Sequence, residues 1–159
     1  MSEATTADDQ PRGDGRYAGF WLRAVAVLID GLITGVAVFV VSFVIGFAIG
    51  FSSATSGGDP VTAQVVSGLI GQGIAVIGTW LYFALLESSS MQATLGKKAM
   101  GLIVVDVDGR RISFGRATGR YFAKILSFAI LLIGYFMAGW TKRKQALHDM
   151  IASTLVIRV

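Results

Sequence analysis

The sequence predicts an all-α membrane protein: a small helical bundle of two full spans plus a third element that crosses or re-enters, with a small cytoplasmic β-hairpin. Three observations predict it. Of 159 residues, 53% are hydrophobic and 15% charged, where soluble domains hold about 45–50% and about 25%. Stretches 17–51, 61–86 and 121–141 contain only Arg23, Asp30 and Lys124 of the 14 basic and 10 acidic residues. Each stretch is long enough, at about 1.5 Å per helical residue, to cross a hydrocarbon core of roughly 30 Å. A water-soluble bundle would interrupt each one with a charged face, and 61–86 offers only Thr, Gln, Ser and Gly instead. The mean hydropathy of +0.65 excludes a disordered polymer. The absence of cysteine excludes disulfides, thiolate metal sites and cysteine nucleophiles.

Residues 1–16 read as a disordered polar tail and 17–159 as the membrane domain. Glu3, Asp8, Asp9 and Asp14 stand where a cleaved signal would need a positive region. Spans are expected at about 20–51, 61–86 and 121–141, with 87–120 as a loop. Topology follows from Lys and Arg in the short connections. Arg12 and Arg16 precede the first span, residues 52–60 hold no basic group, and the long loop holds Lys97, Lys98, Arg110, Arg111, Arg116 and Arg120. The amino terminus and the long loop are therefore expected in the cytoplasm, and the domain in the plasma (inner) membrane. A crossing by 121–141 would put Lys142, Arg143, Lys144 and Arg158 outside, against the same rule.

Within the loop, 102–107 is rich in β-branched residues and Asp108-Gly109 is a favoured two-residue turn, so 110–113 can return as a second strand. Residues 154–157 can add an edge strand if both lie on one side of the membrane. Ser113 can cap a helix on which Arg116, Arg120 and Lys124 recur at four-residue intervals beside Phe114, Tyr121, Phe122 and Ile125. That stripe suits binding to anionic lipid headgroups, and equally a solvated positive flank.

An ionisable group inside a span costs roughly 2.5–3.5 kcal/mol by insertion scales, which makes Asp30 a functional candidate. With the core beginning near Ala24, Asp30 lies about 9 Å deep. Arg23, about two turns earlier on the same face, snorkels away from it toward the surface. Arg23 thus needs a carboxylate or headgroup there, and Asp30 needs a polar neighbour such as Thr79 or Gln72, or a proton.

The run Arg23-Ala24-Val25-Ala26-Val27-Leu28-Ile29-Asp30 resembles the start of the RDD family of small membrane proteins. Further matching pieces follow in order: Thr94-Leu95-Gly96-Lys97-Lys98, Gly101 to Gly109, Ser113-Phe114-Gly115-Arg116, and Gln145-Ala146-Leu147-His148-Asp149 with Thr154. The resemblance runs from about Tyr17 to the carboxyl end. It implies that Arg23 and Asp30 are the first two signature residues and Asp149 the third, with Asp106 as the other candidate. If Asp149 is the partner Arg23 lacks, the third stretch turns back, with Gly134 as a bend, since irregular backbone is tolerated where protein buries it. Against this, its length makes one good span and only a shallow hairpin.

Sharper motifs fail. Met91 and Lys98 break a phosphate-binding loop around Gly96-Lys97, and Asp106 to Gly109 lacks calcium-loop spacing. His148, the single histidine, has no second histidine or cysteine with which to hold a metal. No nucleophile is positioned beside a base, so no enzyme activity, cofactor or metal is expected. The net charge of +4 suggests lipid, because the basic residues flank spans without interleaved aromatic platforms for nucleic acid. The GxxxG pairs Gly31/Gly35 and Gly46/Gly50 offer close packing to a protein partner or a second copy. Two functions fit: an accessory or interaction subunit of a membrane complex, in which Arg23, Asp30 and Asp149 are structural locks, and a proton-coupled monovalent-cation transporter (antiporter) acting as an oligomer. The resemblance suggests the second, but two or three membrane elements are few for alternating access, so the first is preferred.

Overall fold

The computed structural model describes residues 17–129, 137–139, 141 and 143–159. Helix α1, Phe20–Thr55, and helix α2, Pro60–Ser88, form an antiparallel pair, each long and apolar enough to cross a membrane. Their connection is shorter than the expected 52–60. The hydroxyls of Thr55 and Ser56 donate to the carbonyls of Phe51 and Ser52 and carry α1 onward. Gly57 then turns the chain at φ +69°. The Asp59 carboxylate accepts from the Thr62 amide at 2.8 Å and caps α2, which opens with Pro60.

Most of the pair's side chains point outward and are apolar. Phe39, Phe43, Phe47 and Phe51 stack along the outer face of α1 with centroids 6.2–6.4 Å apart. Exposed apolar side chains are ordinary where lipid is the solvent. The two glycine pairs differ. Gly46 and Gly50 border a cleft of about 340 Å³ that Ala63, Gln64 and Ser67 of α2 also line. Gly31 and Gly35 lie exposed with no neighbour within 4 Å of a Cβ built on them.

At the other end, the remaining elements gather around the start of α1 and the end of α2. Thr94 caps the short helix α3, Leu95–Ala99. Strand β1, Leu102–Asp106, pairs antiparallel with β2, Thr154–Arg158, placing Val104 opposite Val156. The residues before α1 join the sheet through the Tyr17–Ile157 bridge and the Ala18 amide, which donates to the Val156 carbonyl at 2.9 Å. Helix α4, Phe114–Ala129, a 3-10 turn, Met137–Gly139, and helix α5, Leu147–Ile151, complete the fold. Ala18, Ala26, Ala84, Leu102, Val104, Ile112, Ala117 and Val156 form the apolar core under this end.

The hairpin is reduced compared with expectation. Its turn forms, with Gly109 at φ +79° and the Asp106 carboxylate accepting from the Asp108 and Arg110 amides at 3.0 and 2.8 Å. The returning strand, however, is only a bridge between Val105 and Arg111. Ser113 ends it by starting α4, accepting from the Arg116 and Ala117 amides, so the regular partner of β1 is the distant β2.

The polar tail 1–16, the Gly134 bend and Lys142 lie outside the described residues. The flanks of the third apolar stretch are described. Residues 87–120 before it and 143–159 after it pack at the same end of the helix pair, joined by β1 and β2.

Candidate functional site: a buried ion-pair chain

Asp30 is completely buried where α1 meets α2 and α3. Its carboxylate accepts from the Tyr82 hydroxyl at 2.7 Å, the Thr94 hydroxyl at 2.5 Å and the Gly96 amide at 2.7 Å. The expected neighbours Thr79 and Gln72 are not its partners. The antiparallel register sets Tyr82 opposite Asp30, and Gln72, exposed near Ser42, lies further toward the turn. The other donors come from α3, outside the spans. Gly96 permits this approach: a Cβ there would overlap the Ala26 carbonyl oxygen and stand 2.8 Å from the Asp30 carboxyl carbon.

Arg23 and Asp149 are brought together; Asp30 is not part of their network. Asp149 is drawn to its place by α5, where its side chain reaches back to the Ala146 amide at 3.2 Å, as an acid in a first helical turn does. The Arg23 guanidinium donates to Asp149 Oδ2, to the Lys144 carbonyl at 2.8 Å and to the Ala18 carbonyl at 2.9 Å. Lys144 presents that carbonyl from a left-handed backbone at φ +47°. On the other carboxylate oxygen, Arg120 donates through Nε at 2.9 Å and Nη2 at 2.6 Å. Its Nη1 donates to Glu87 Oε2 at 3.0 Å, and Lys97 Nζ donates to Glu87 Oε1 at 2.6 Å. An unbroken chain, Lys97–Glu87–Arg120–Asp149–Arg23, thus ties α3, α2, α4, α5 and α1 together.

The expected lipid-facing stripe on α4 is corrected at Arg120, whose side chain is 1% exposed and points into this network. A helix carries residues four apart on adjacent turns of one face, and along α4 that face passes from exposed Arg116 to buried Arg120 and half-buried Lys124. Arg116 is outside, 42% exposed and 3.6 Å from Asp106. Lys124 sits between, 3.6 Å from Glu87 and 3.9 Å from the centre of the Phe83 ring. Asp106, the other candidate for the third signature residue, secures the 106–110 turn instead.

Sequence reasoning missed Glu87 and Lys97 as partners. The available signal was that Glu87 is the single acid between Asp59 and Asp106, placed at the end of an apolar run and followed by cations. Such an acid is compensated or it is unstable.

Burial alone would raise the Asp149 carboxyl, but Arg120 and then Arg23 reverse this and hold it well below the usual carboxylate range, so Asp149 is ionised. His148, beside it at 3.5 Å, is pushed down to about 3 by burial, with Asp149 opposing and the neighbouring cations reinforcing the shift; the ring is neutral near pH 7. Among the described residues no group of His, Cys, Asp or Glu is arranged to hold a metal ion. Nor does any described buried side-chain nitrogen or oxygen lack a hydrogen-bond partner.

Two long apolar helices, closed at one end by a buried polar network that also gathers both flanks of a third apolar stretch, define a small integral membrane protein. The chain matches the RDD family over residues 17–153 and belongs to that family. It is 38% identical over 148 residues to "Uncharacterized protein YxaI" of Bacillus subtilis (strain 168), covering 88% of this chain and 96% of that one. It is 33% identical over 147 residues to "Uncharacterized membrane protein YteJ" of the same organism, covering 89% and 80%. No solved structure matches.

Proposed function

We propose that the chain is a non-enzymatic accessory subunit of a membrane complex, with the polar network acting as a lock that fixes a cytoplasmic platform to two spans. The observation carrying this reading is that both carboxylates of the ion-pair network, Glu87 and Asp149, are held between cations from different elements. A working transport site exchanges partners during its cycle, whereas Glu87 and Asp149 are each held by at least two cations. The platform, made of α3, β1, β2 and α5, presents its outer surface to a partner, and exposed Gly31 and Gly35 allow a partner helix or a second copy to approach α1.

The plasma membrane and a cytoplasmic amino terminus fit the basic residues. Lys97, Lys98, Arg110, Arg111, Arg116 and Lys144 all belong to the platform end, and residues 56–59 hold none. A reporter fused after Val159 will be active in its cytoplasmic form; activity restricted to the outside would overturn this placement. From Gly31 to Phe51 and from Val61 to Leu81, about 20 residues of each helix fit a hydrocarbon core of roughly 30 Å. Asp30 then lies at the boundary of that core.

The second reading, an oligomeric proton-coupled monovalent-cation transporter, is favoured by Asp30, a buried carboxylate beside two hydroxyls. Against it, Arg23, Lys97, Arg120 and Lys124 gather at the same end and repel a cation. Two experiments separate the readings. Purification of native protein in mild detergent should bring a stoichiometric companion, and proteoliposomes should show no cation-dependent proton flux. Flux in the wild type that vanishes in Asp30→Asn would establish transport instead.

A further inference from the structure

A cavity of about 360 Å³ opens beside the ion-pair chain, between α1, α2, α4 and the start of α5. Arg23, Lys97, Arg120 and Lys124 line it, and no carboxylate does. The carboxylates in contact with these cations are Glu87 and Asp149. Glu87 is shared among Lys97, Arg120 and Lys124, so Lys124 has the weakest hold on a carboxylate in the cluster. Basic side chains gathered on one cavity wall offer charge-assisted hydrogen bonds to an oxyanion.

The cations are not equally engaged. Arg23 has hydrogen bonds from all three guanidinium nitrogens, as does Arg120. Lys124, by contrast, approaches Glu87 only at 3.6 Å and otherwise rests over Phe83. An ammonium has three donors, so Lys124 retains donors for an incoming oxyanion, with Lys97 close by. The rest of the wall is Phe83, Tyr121, Ala146 and the neutral ring of His148, and Val27 and Ile125, 48% and 59% exposed, form its apolar outer rim. We propose that this cavity binds one anionic lipid, its oxyanion head at Lys124 and Lys97 and its hydrocarbon chain leaving over Val27 and Ile125. The site is independent of the accessory role. It also differs from loose attraction to a charged surface, which would depend on exposed groups such as Arg116.

The test uses the full chain in a neutral detergent, with its unfolding midpoint followed as lipid or salt is added. Phosphatidylglycerol should raise the midpoint by about 4 °C, whereas phosphatidylcholine and inorganic phosphate should not. Lys124→Met should weaken the phosphatidylglycerol effect by about tenfold in concentration, and Arg116→Ala should leave it unchanged. Because Lys124 touches the network, Ile125→Glu provides a second variant: it places an acid on an exposed rim position and should repel the same lipid. Equal stabilisation by phosphatidylcholine, by inorganic phosphate, or in both the Lys124 and Ile125 variants would overturn the proposal.

Discussion

Along residues 31–55 and 60–81, α1 and α2 meet through small groups such as Ser42 against Gly71, and turn Leu32, Phe39, Phe43, Val61 and Leu69 outward. At the other end, Asp30, Glu87, Thr94, Arg120, Asp149 and Thr154 are buried and bonded to named partners. The difference reflects the two solvents. In lipid, apolar side chains gain little from one another, so the outer faces of the pair are constrained mainly by bulk and hydropathy. In the hub each polar group needs its particular partner, and removing one leaves an uncompensated charge. Conformational specificity is therefore concentrated in the hub.

The largest loss of stability is expected at Gly96. Gly96→Ala forces a methyl group into the Ala26 carbonyl and the Asp30 carboxyl, and should destabilise by more than about 4 kcal/mol, measured by unfolding in mixed micelles. Next comes Asp149→Asn, which leaves Arg23 and Arg120 buried with a neutral partner. A loss of about 3 kcal/mol is expected by the same measurement.

His148 makes the stability of the polar end depend on pH. Its folded pKa, about 3, lies below the unfolded value of 6.5, so the unfolded chain binds more protons between them. Stability from the buried neutral ring is full above pH 6.5 and falls as pH drops toward 3, with a limiting slope of about 1.4 kcal/mol per pH unit. A pH series should show that slope reduced in His148→Gln. The smallest effect is expected on the outer face: Phe43→Leu, far from the hub, should change stability by less than about 0.5 kcal/mol. A large effect there would mean that the aromatic row, not the hub, carries specificity.

The legible parts of the fold were those with long-range sequence patterns. Charge-poor runs located α1 and α2, and the Asp108-Gly109 turn was visible from its residue types. The pairing of β1 with β2 was less so, because nothing local in 102–106 distinguishes a neighbour at 110–113 from one at 154–158. Arg23 and Asp149 could be joined only through the family resemblance. Arg120 was misplaced because four-residue spacing reports a helix face but not what that face meets. Glu87 was passed over as the start of a loop when it ends α2, where its position decides its role.

The most direct test of the lock is a double-mutant cycle on its longest-range contact, Arg23 with Asp149, using Arg23→Gln, Asp149→Asn and the pair in reversible unfolding. Removing either partner should lose most of what removing both loses, giving a coupling of about 2 kcal/mol. Additive losses, agreeing within about 0.4 kcal/mol, would contradict the account, because the two residues would then act independently and the carboxyl-terminal segment would be held at the helix ends by something else.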